Sequence, residues 1–192
     1  MEKVALTLQS KSALDTYLAE NRLMRYEREL LAEIVAVIEK GDAEALTWFG
    51  GFGDSIRQIL MNVNEYRAAL EFGFTEIAFN QYGWFSAPKF LEFEEINIEQ
   101  SSIRIGRGPN GHWAYALSCQ YGTAGSSGPL SVFCKKYPNR GTVLFAALVD
   151  MKSRMTQYLG NTDTTNYKQD VLQKTIKAIA GYEVSMVQLT LF

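Results

Sequence analysis

The sequence predicts an α+β protein in which helices precede and follow a central antiparallel meander of about four strands. Residues 11–39 repeat apolar side chains at three- and four-residue steps, as an amphipathic helix does. From Phe90 the apolar period changes to two, which is typical of strands, and helical patterns return after Pro138. We therefore expect one domain over 1–181, divided into helical 1–89, β-meander 90–137 and helical 138–181, and a short tail or strand over 182–192.

Capping residues predict where the helices begin and end. Ser10 or Ser12 suits the start of the first helix, Gly41 its end, and Asp42 the cap of a second helix. Asp54 or Ser55 is expected to start a helix through Val63, with another short helix at 66–70. In the last third, Thr142 is expected to cap a helix to about Leu159, and Asp163 or Thr165 another to about Ala180.

Four segments alternate apolar and polar residues and are separated by short turns, which favours antiparallel pairing of neighbours. They are residues 91–100, 102–106, 112–121 and 129–137. No sequence pattern is clear in the aromatic-rich segment 72–87.

Composition limits the classes of protein. The chain has 192 residues, 47% of them hydrophobic, and a formal net charge of −2, so bulk attraction to nucleic acid is not expected. Only two cysteines occur, the first residues contain no apolar signal core, and no apolar run could span a membrane. We expect a cytoplasmic protein from a bacterium or a phage-infected bacterium.

Gly106–Gly111 matches the G-x-G-x-x-G pattern of dinucleotide-binding loops. A dinucleotide site needs a helix after the glycines, whereas a strand pattern follows here, so we expect a hairpin turn and no nucleotide cofactor. Residues 122–128 form a second small-residue loop, interpreted as a solvent-exposed hairpin connection; a loop that contacts a partner or a phosphate is the alternative.

Cys119 and Cys134 flank that second loop almost symmetrically, so they are expected to lie near each other as reduced thiols. Two cysteines and one histidine do not complete a tetrahedral metal site, and no metal is expected. His112 is interpreted as a surface or packing residue because no Ser-His-Asp or Cys-His pattern accompanies it. No catalytic residue is predicted.

One strand is acidic, through Glu92, Glu94, Glu95 and Glu99. A solvated strand face is the simplest interpretation; a magnesium or acid-base pair and a DNA-mimicking surface are the alternatives. The glycine cluster Gly50–Gly53 is expected to form a turn, although aromatic neighbours would also let it line a cleft.

The last five residues, Gln188, Leu189, Thr190, Leu191 and Phe192, are the most specific pattern. They resemble the Q-L-x-L-F peptide with which bacterial polymerases and mismatch-repair proteins bind the DNA sliding clamp. All four fixed positions match, at a chance frequency on the order of 10⁻⁵ per site. The resemblance implies the clamp as partner and Gln188, Leu189, Leu191 and Phe192 as the protein-binding residues. A final half-buried β-strand is the competing interpretation.

Residues 108–133 also resemble β-hairpin segments of uncharacterised phage and plasmid proteins, and no residue's role is carried over from them. We expect a non-enzymatic accessory protein of a phage or mobile element, recruited to the clamp in DNA replication or repair, whose body binds another protein or DNA. Two alternatives are open. One is a mobile-element inhibitor of a host defence or replication protein, and the other is a small enzyme without a recognisable motif.

Overall fold

The computed structural model describes residues 11–189 of the chain, and the side chains of residues 11–186. These residues form six helices and one four-stranded antiparallel sheet, so the predicted α+β class is confirmed. They divide into two compact units: a helical unit of residues 11–71 and 75–88, and a sheet unit of residues 72–74 and 89–189. One domain over 1–181 stays a prediction. No helix in the described part of the chain is long and apolar enough to cross a bilayer.

The helical unit contains four helices around one apolar core. They are α1 Lys11–Glu20, α2 Arg25–Lys40, α3 Ala43–Gly50 and α4 Ile56–Leu70. Each helix contributes at least one fully buried side chain, among them Leu14, Ile34, Phe49, Ile59 and Leu60. Burial of these side chains against one another stabilises helices that would be marginal in isolation.

The single helix predicted over 11–39 is wrong, because two helices occupy this range. The amide side chain of Asn21 donates to the carbonyl of Tyr17 at 2.9 Å, which satisfies a carbonyl at the end of α1. The Glu27 carboxylate accepts from the Met24 backbone N–H at 2.7 Å, at the start of α2. Local polar side chains therefore interrupt the helix although the apolar periodicity continues across the break.

The predicted caps Asp42 and Ser55 are confirmed. The Asp42 carboxylate accepts from the Ala45 N–H at 3.0 Å, and the Ser55 hydroxyl accepts from the Gln58 N–H at 3.3 Å. Gly41 ends α2 with a φ of 65°, a left-handed conformation that glycine adopts without strain. The helix from Ser55 continues to Leu70 without the expected interruption after Val63.

In the sheet unit, β1 Leu91–Ile98, β2 Ser101–Arg107, β3 Trp113–Gln120 and β4 Gly125–Ser127 pair in sequence order, each antiparallel to the next. The predicted meander is thus confirmed. Helices α5 Arg140–Gln157 and α6 Gln169–Leu189 cover one face of the sheet. The shared core contains Ile103 and Ile105 from β2, Leu117 from β3 and Leu148 from α5.

The prediction of a strand over 129–137 is wrong. The fourth strand is the three-residue β4, inside the segment expected to be a loop. Directly after β4 the Gly128 N–H donates to the Leu117 carbonyl of β3 at 3.3 Å. The chain then turns, with the Cys134 N–H donating to the Ser131 carbonyl at 3.0 Å, and it meets β3 again at an isolated bridge between Trp113 and Tyr137. Within 129–137 only Val132 is buried, and it lies in a turn. The alternating sequence of this segment therefore does not correspond to a pleated strand.

The ends of the last two helices also differ from expectation. Asn139, rather than Thr142, caps α5, accepting from the Thr142 N–H at 2.9 Å. Asp163 accepts from the Asn166 N–H in a turn, and α6 begins only at Gln169. Helix α6 also continues past Ala180, because Tyr182 and Met186 pack against the sheet-unit core. Tertiary packing thus overrides the stop signal expected from Gly181.

Candidate functional site

The predicted clamp-binding peptide begins in the last turn of α6. The backbone of Gln188 and Leu189 is helical. Leu191 and Phe192 lie outside the described residues, as do the side chains of Gln188 and Leu189. The binding role of these four residues therefore stays a prediction.

The helix that leads into the peptide is firmly packed. Leu172, Thr175 and Ile179 of α6 have no exposed surface, and Tyr182 and Met186 pack against the same core. These positions recur at three- and four-residue steps, which places them on one helical face. The core of the sheet unit thus holds α6 to within two residues of Gln188.

The glycine-rich segment Gly106–Gly111 connects β2 and β3 as a hairpin, as predicted. The Gly108 N–H donates to the His112 carbonyl at 2.7 Å, and the Gly111 N–H donates to the Gly108 carbonyl at 3.0 Å. A Cβ atom on Gly108 would collide with the carbonyl oxygen of Phe72. Because the strand β3 follows the glycines, the segment lacks the helix N-terminus that a pyrophosphate site needs.

The only histidine belongs to this hairpin. The His112 backbone N–H donates to the Asn110 side-chain oxygen at 3.1 Å, and its own side chain is exposed. The predicted surface position of His112 is thus confirmed. Its backbone closes a turn, and its imidazole has no hydrogen bond to another described residue.

The two cysteines do not face each other across a regular hairpin. Cys119 lies on β3 opposite Ser126, and Cys134 lies in the turn after β4. Their predicted adjacency assumed a symmetric hairpin around residues 122–128, and that assumption is wrong. Both are free thiols. Burial raises the pKa of the Cys119 thiol, which keeps it protonated and unreactive near neutral pH.

Two acidic residues of β1, Glu92 and Glu94, form ion pairs with arginines of the same unit, and a third, Glu95, accepts a hydrogen bond from a serine. Glu94 accepts from Arg140 at 2.7 and 2.6 Å, in a two-pronged ion pair that lowers the pKa of the Glu94 carboxyl. Glu92 pairs with Arg107, and Glu95 accepts from the Ser102 hydroxyl at 2.9 Å. Within residues 11–189 no group of three or more metal-ligating side chains comes together.

The Gly51–Gly53 turn lines a narrow cleft of about 140 Å³ in the helical unit, beside Gln58 and Gly83. The buried Asn62 amide donates to the carbonyls of Phe52 at 2.6 Å and Gly83 at 2.8 Å. The Gln58 amide donates to the Tyr82 carbonyl at 2.9 Å. These amides hold the turn and the 80–85 segment together, so the cleft is structural.

That segment displays an exposed aromatic surface, which sequence reasoning missed. Tyr82 is 72% exposed, and three further apolar side chains there are more than a third exposed: Ile77, Phe79 and Trp84. The Asn80 side chain fixes the turn between them by accepting from the N–H groups of Tyr82 at 2.9 Å and Trp84 at 3.2 Å. We call residues 77–84 the aromatic turn. Aromatic density at 72–87 was its only sequence signal.

A second feature missed by sequence reasoning is an open cleft of about 280 Å³ in the sheet unit, here called the β3-edge cleft. It is lined by side chains and backbone of β3, α5 and the segment after β4, including Tyr115, Gly128, Cys134, Lys135, Asp150 and Arg154. The Tyr115 hydroxyl donates to Asp150 at 3.0 Å, and the Arg154 guanidinium donates to both Asp150 oxygens at 2.9 and 3.1 Å. The four-residue spacing of Asp150 and Arg154 was the only sequence signal.

No protein-family model matches the chain, and its comparison with curated protein sequences and with solved structures gave no significant match.

Proposed function

We propose that this chain is a non-catalytic accessory protein that is recruited to a bacterial DNA sliding clamp through residues 188–192. The observation that carries the proposal is the complete Q-L-x-L-F pattern at Gln188, Leu189, Leu191 and Phe192. A phage or mobile element is the expected origin of such a protein. Recruitment to the clamp would place the protein in DNA replication or repair.

The residue types in the peptide suit a groove that is mostly apolar. Leu189, Leu191 and Phe192 offer three apolar anchors, and each anchor contributes about 1.5–3 kcal/mol when buried, before the cost of ordering the chain. Gln188 can donate and accept hydrogen bonds at the rim. A short peptide of this kind binds with a dissociation constant near micromolar, about −8 kcal/mol, which suits reversible recruitment.

The packing of α6 supports the proposal, because the residues just before the peptide are fixed on the sheet-unit core. Tyr182 and Met186 fix the helix on the sheet-unit core, and the peptide starts two residues later. The last carbonyls of a helix lack intrahelical partners, so unwinding the final turn costs little. Gln188 and Leu189 can therefore leave the helical conformation for an extended one when a groove offers contacts.

We propose further that the body of the protein binds another protein rather than DNA, and the aromatic turn supports this. Tyrosine and tryptophan are the side chains that most often dominate protein interfaces. Here they are exposed on a turn that Asn80, Asn62 and Gln58 hold rigid, so little conformational entropy is lost on binding.

A co-purification experiment tests clamp recruitment. The tagged protein is incubated with bacterial lysate beside two variants, one lacking residues 188–192 and one with the same five residues in scrambled order. The scrambled variant keeps length and composition. The clamp is expected with the intact protein alone. Equal recovery of the clamp by all three would show that another surface binds it, and no recovery by the intact protein would refute the proposal.

A further inference from the structure

Among the described residues, the edge of β3 that borders the β3-edge cleft is paired on either side of Tyr115 and unpaired at Tyr115 itself. Trp113 exchanges two backbone hydrogen bonds with Tyr137, both of 2.8 Å, and the Leu117 carbonyl accepts from the Gly128 N–H at 3.3 Å. Backbone groups alternate in direction along a strand, so Tyr115, midway between these residues, points its N–H and C=O toward the same edge. In the described part of the chain no backbone group pairs with Tyr115 on that edge.

The segment after β4 creates this opening. A regular ladder continuing from the Trp113–Tyr137 bridge would pair Tyr115 with Lys135, but the bridge is isolated. The turn closed by Ser131 and Cys134 draws the chain away from β3 instead. The unpaired stretch of this edge is one residue long, because β3 is paired again at Leu117.

The walls of the cleft carry two cations and one carboxylate. Arg154 uses its Nε and Nη2 atoms on Asp150, which leaves Nη1 able to donate to a ligand. The Lys135 ammonium lies 5.5 Å from the Tyr137 ring centre and has no carboxylate partner among residues 11–189. With Asp150 neutralising one of the two positive charges, the cleft retains a net attraction for an anion.

We propose that the β3-edge cleft binds a ligand whose terminal unit is an N-acylated amino acid with a free carboxylate, either as a small molecule or as the carboxyl end of a peptide. In an antiparallel pair one residue exchanges both its N–H and its C=O with the residue opposite. The ligand amide N–H donates to the Tyr115 carbonyl, and one carboxylate oxygen accepts from the Tyr115 N–H. Lys135 and Arg154 donate to the carboxylate, in charge-assisted hydrogen bonds.

Titration with N-acetylglycine, followed by the ¹H–¹⁵N resonances of the protein, tests this site. The Tyr115 amide resonance is expected to shift saturably. N-acetylglycinamide lacks the charge and acetate lacks the amide, so each should bind at least tenfold more weakly. N-acetyl-triglycine distinguishes the source of the ligand: tighter binding than N-acetylglycine indicates a peptide end, and equal or weaker binding indicates a small molecule.

Substitutions separate the site from general anion binding. Lys135→Gln removes an exposed charge and is expected to weaken N-acetylglycine at least tenfold, whereas the control Lys177→Gln, on an exposed position of α6, leaves binding unchanged. Arg154→Gln should weaken binding as well, and its ¹H–¹⁵N spectrum shows whether the variant is still folded. Absence of a saturable Tyr115 shift in the wild type, or equal affinity in Lys135→Gln and Lys177→Gln, overturns the proposal.

Discussion

The Tyr115 hydroxyl donates a 3.0 Å hydrogen bond to the Asp150 carboxylate, which ties the middle of β3 to α5. The same carboxylate accepts two hydrogen bonds from Arg154, so the guanidinium neutralises the half-buried charge and three hydrogen bonds satisfy its oxygens. Burial and the neighbouring Asp150 raise the pKa of the Tyr115 hydroxyl well above its ordinary value near 10. This link belongs both to the fold of the sheet unit and to the wall of the β3-edge cleft.

Tyr115→Phe is expected to lower the free energy of unfolding by about 1 kcal/mol at pH 7, the value of one hydrogen bond. Because the pKa of Tyr115 is raised in the folded protein, its stabilising effect is complete below about pH 10, where the unfolded chain keeps this proton, and is lost above it. Urea denaturation at several pH values measures the difference in the free energy of unfolding between the wild type and Tyr115→Phe. A difference that stays constant up to pH 11 would contradict the assigned role of the hydroxyl.

Asn62→Ala is expected to destabilise the helical unit by about 3 kcal/mol. The Asn62 side chain makes three hydrogen bonds, to Phe52, Gly83 and Phe85, and its loss leaves their backbone groups unsatisfied. Asn97→Ala, at an exposed position of β1, is the matched control and should change stability by less than about 0.5 kcal/mol. Similar losses in both variants, measured by chemical denaturation, would show that the Asn62 hydrogen bonds contribute little.

Gly108→Ala is expected to destabilise the sheet unit by about 1–3 kcal/mol, because the added methyl group meets the Phe72 carbonyl oxygen and its Cβ atom. Gly128→Ala is the control, since a Cβ atom there meets nothing within 4 Å. Thermal denaturation of both variants measures the effect. If Gly128→Ala lowers the melting temperature as much as Gly108→Ala, close packing is not the reason for glycine at 108.

Glu94→Gln is expected to remove part of the acid sensitivity of the protein. Arg140 lowers the pKa of Glu94 in the folded state, so the pair stabilises the protein above the unfolded value near 4.3, and this contribution is lost as the pH falls. Both side chains are more than a third exposed, which limits the contribution to less than about 1 kcal/mol. The free energy of unfolding, measured by chemical denaturation at pH 7 and at pH 3, should differ less between the two pH values for Glu94→Gln than for the wild type. Glu99→Gln is the control.

Local signals accounted for the parts of the fold that depend on neighbours in sequence. Asp42 and Ser55 cap helices where their chemistry indicates, and Pro109–Gly111 turns the chain between two strands. In these cases the interaction that fixes the structure lies within three or four residues, so the sequence around it contains the cause.

Long-range packing decided what the sequence could not indicate. Helix α6 continues through Gly181 because Tyr182 and Met186 meet the sheet-unit core. The alternation at 129–137 indicated a strand, but a turn at Ser131 and Cys134 keeps most of this segment off β3. The β3-edge cleft exists only because that strand is missing, so a prediction that assumed the strand could not find it.

The measurement that tests the central claim most directly is calorimetric titration of a purified bacterial sliding clamp with the wild type and with the Leu191→Ala, Phe192→Ala double variant. Removing two apolar anchors costs several kcal/mol, so a dissociation constant near micromolar should rise beyond millimolar. A thermal melt of the double variant should match that of the wild type. No binding by the wild type, together with a sharply lowered melting temperature of the variant, would show that residues 188–192 serve the fold and not the clamp.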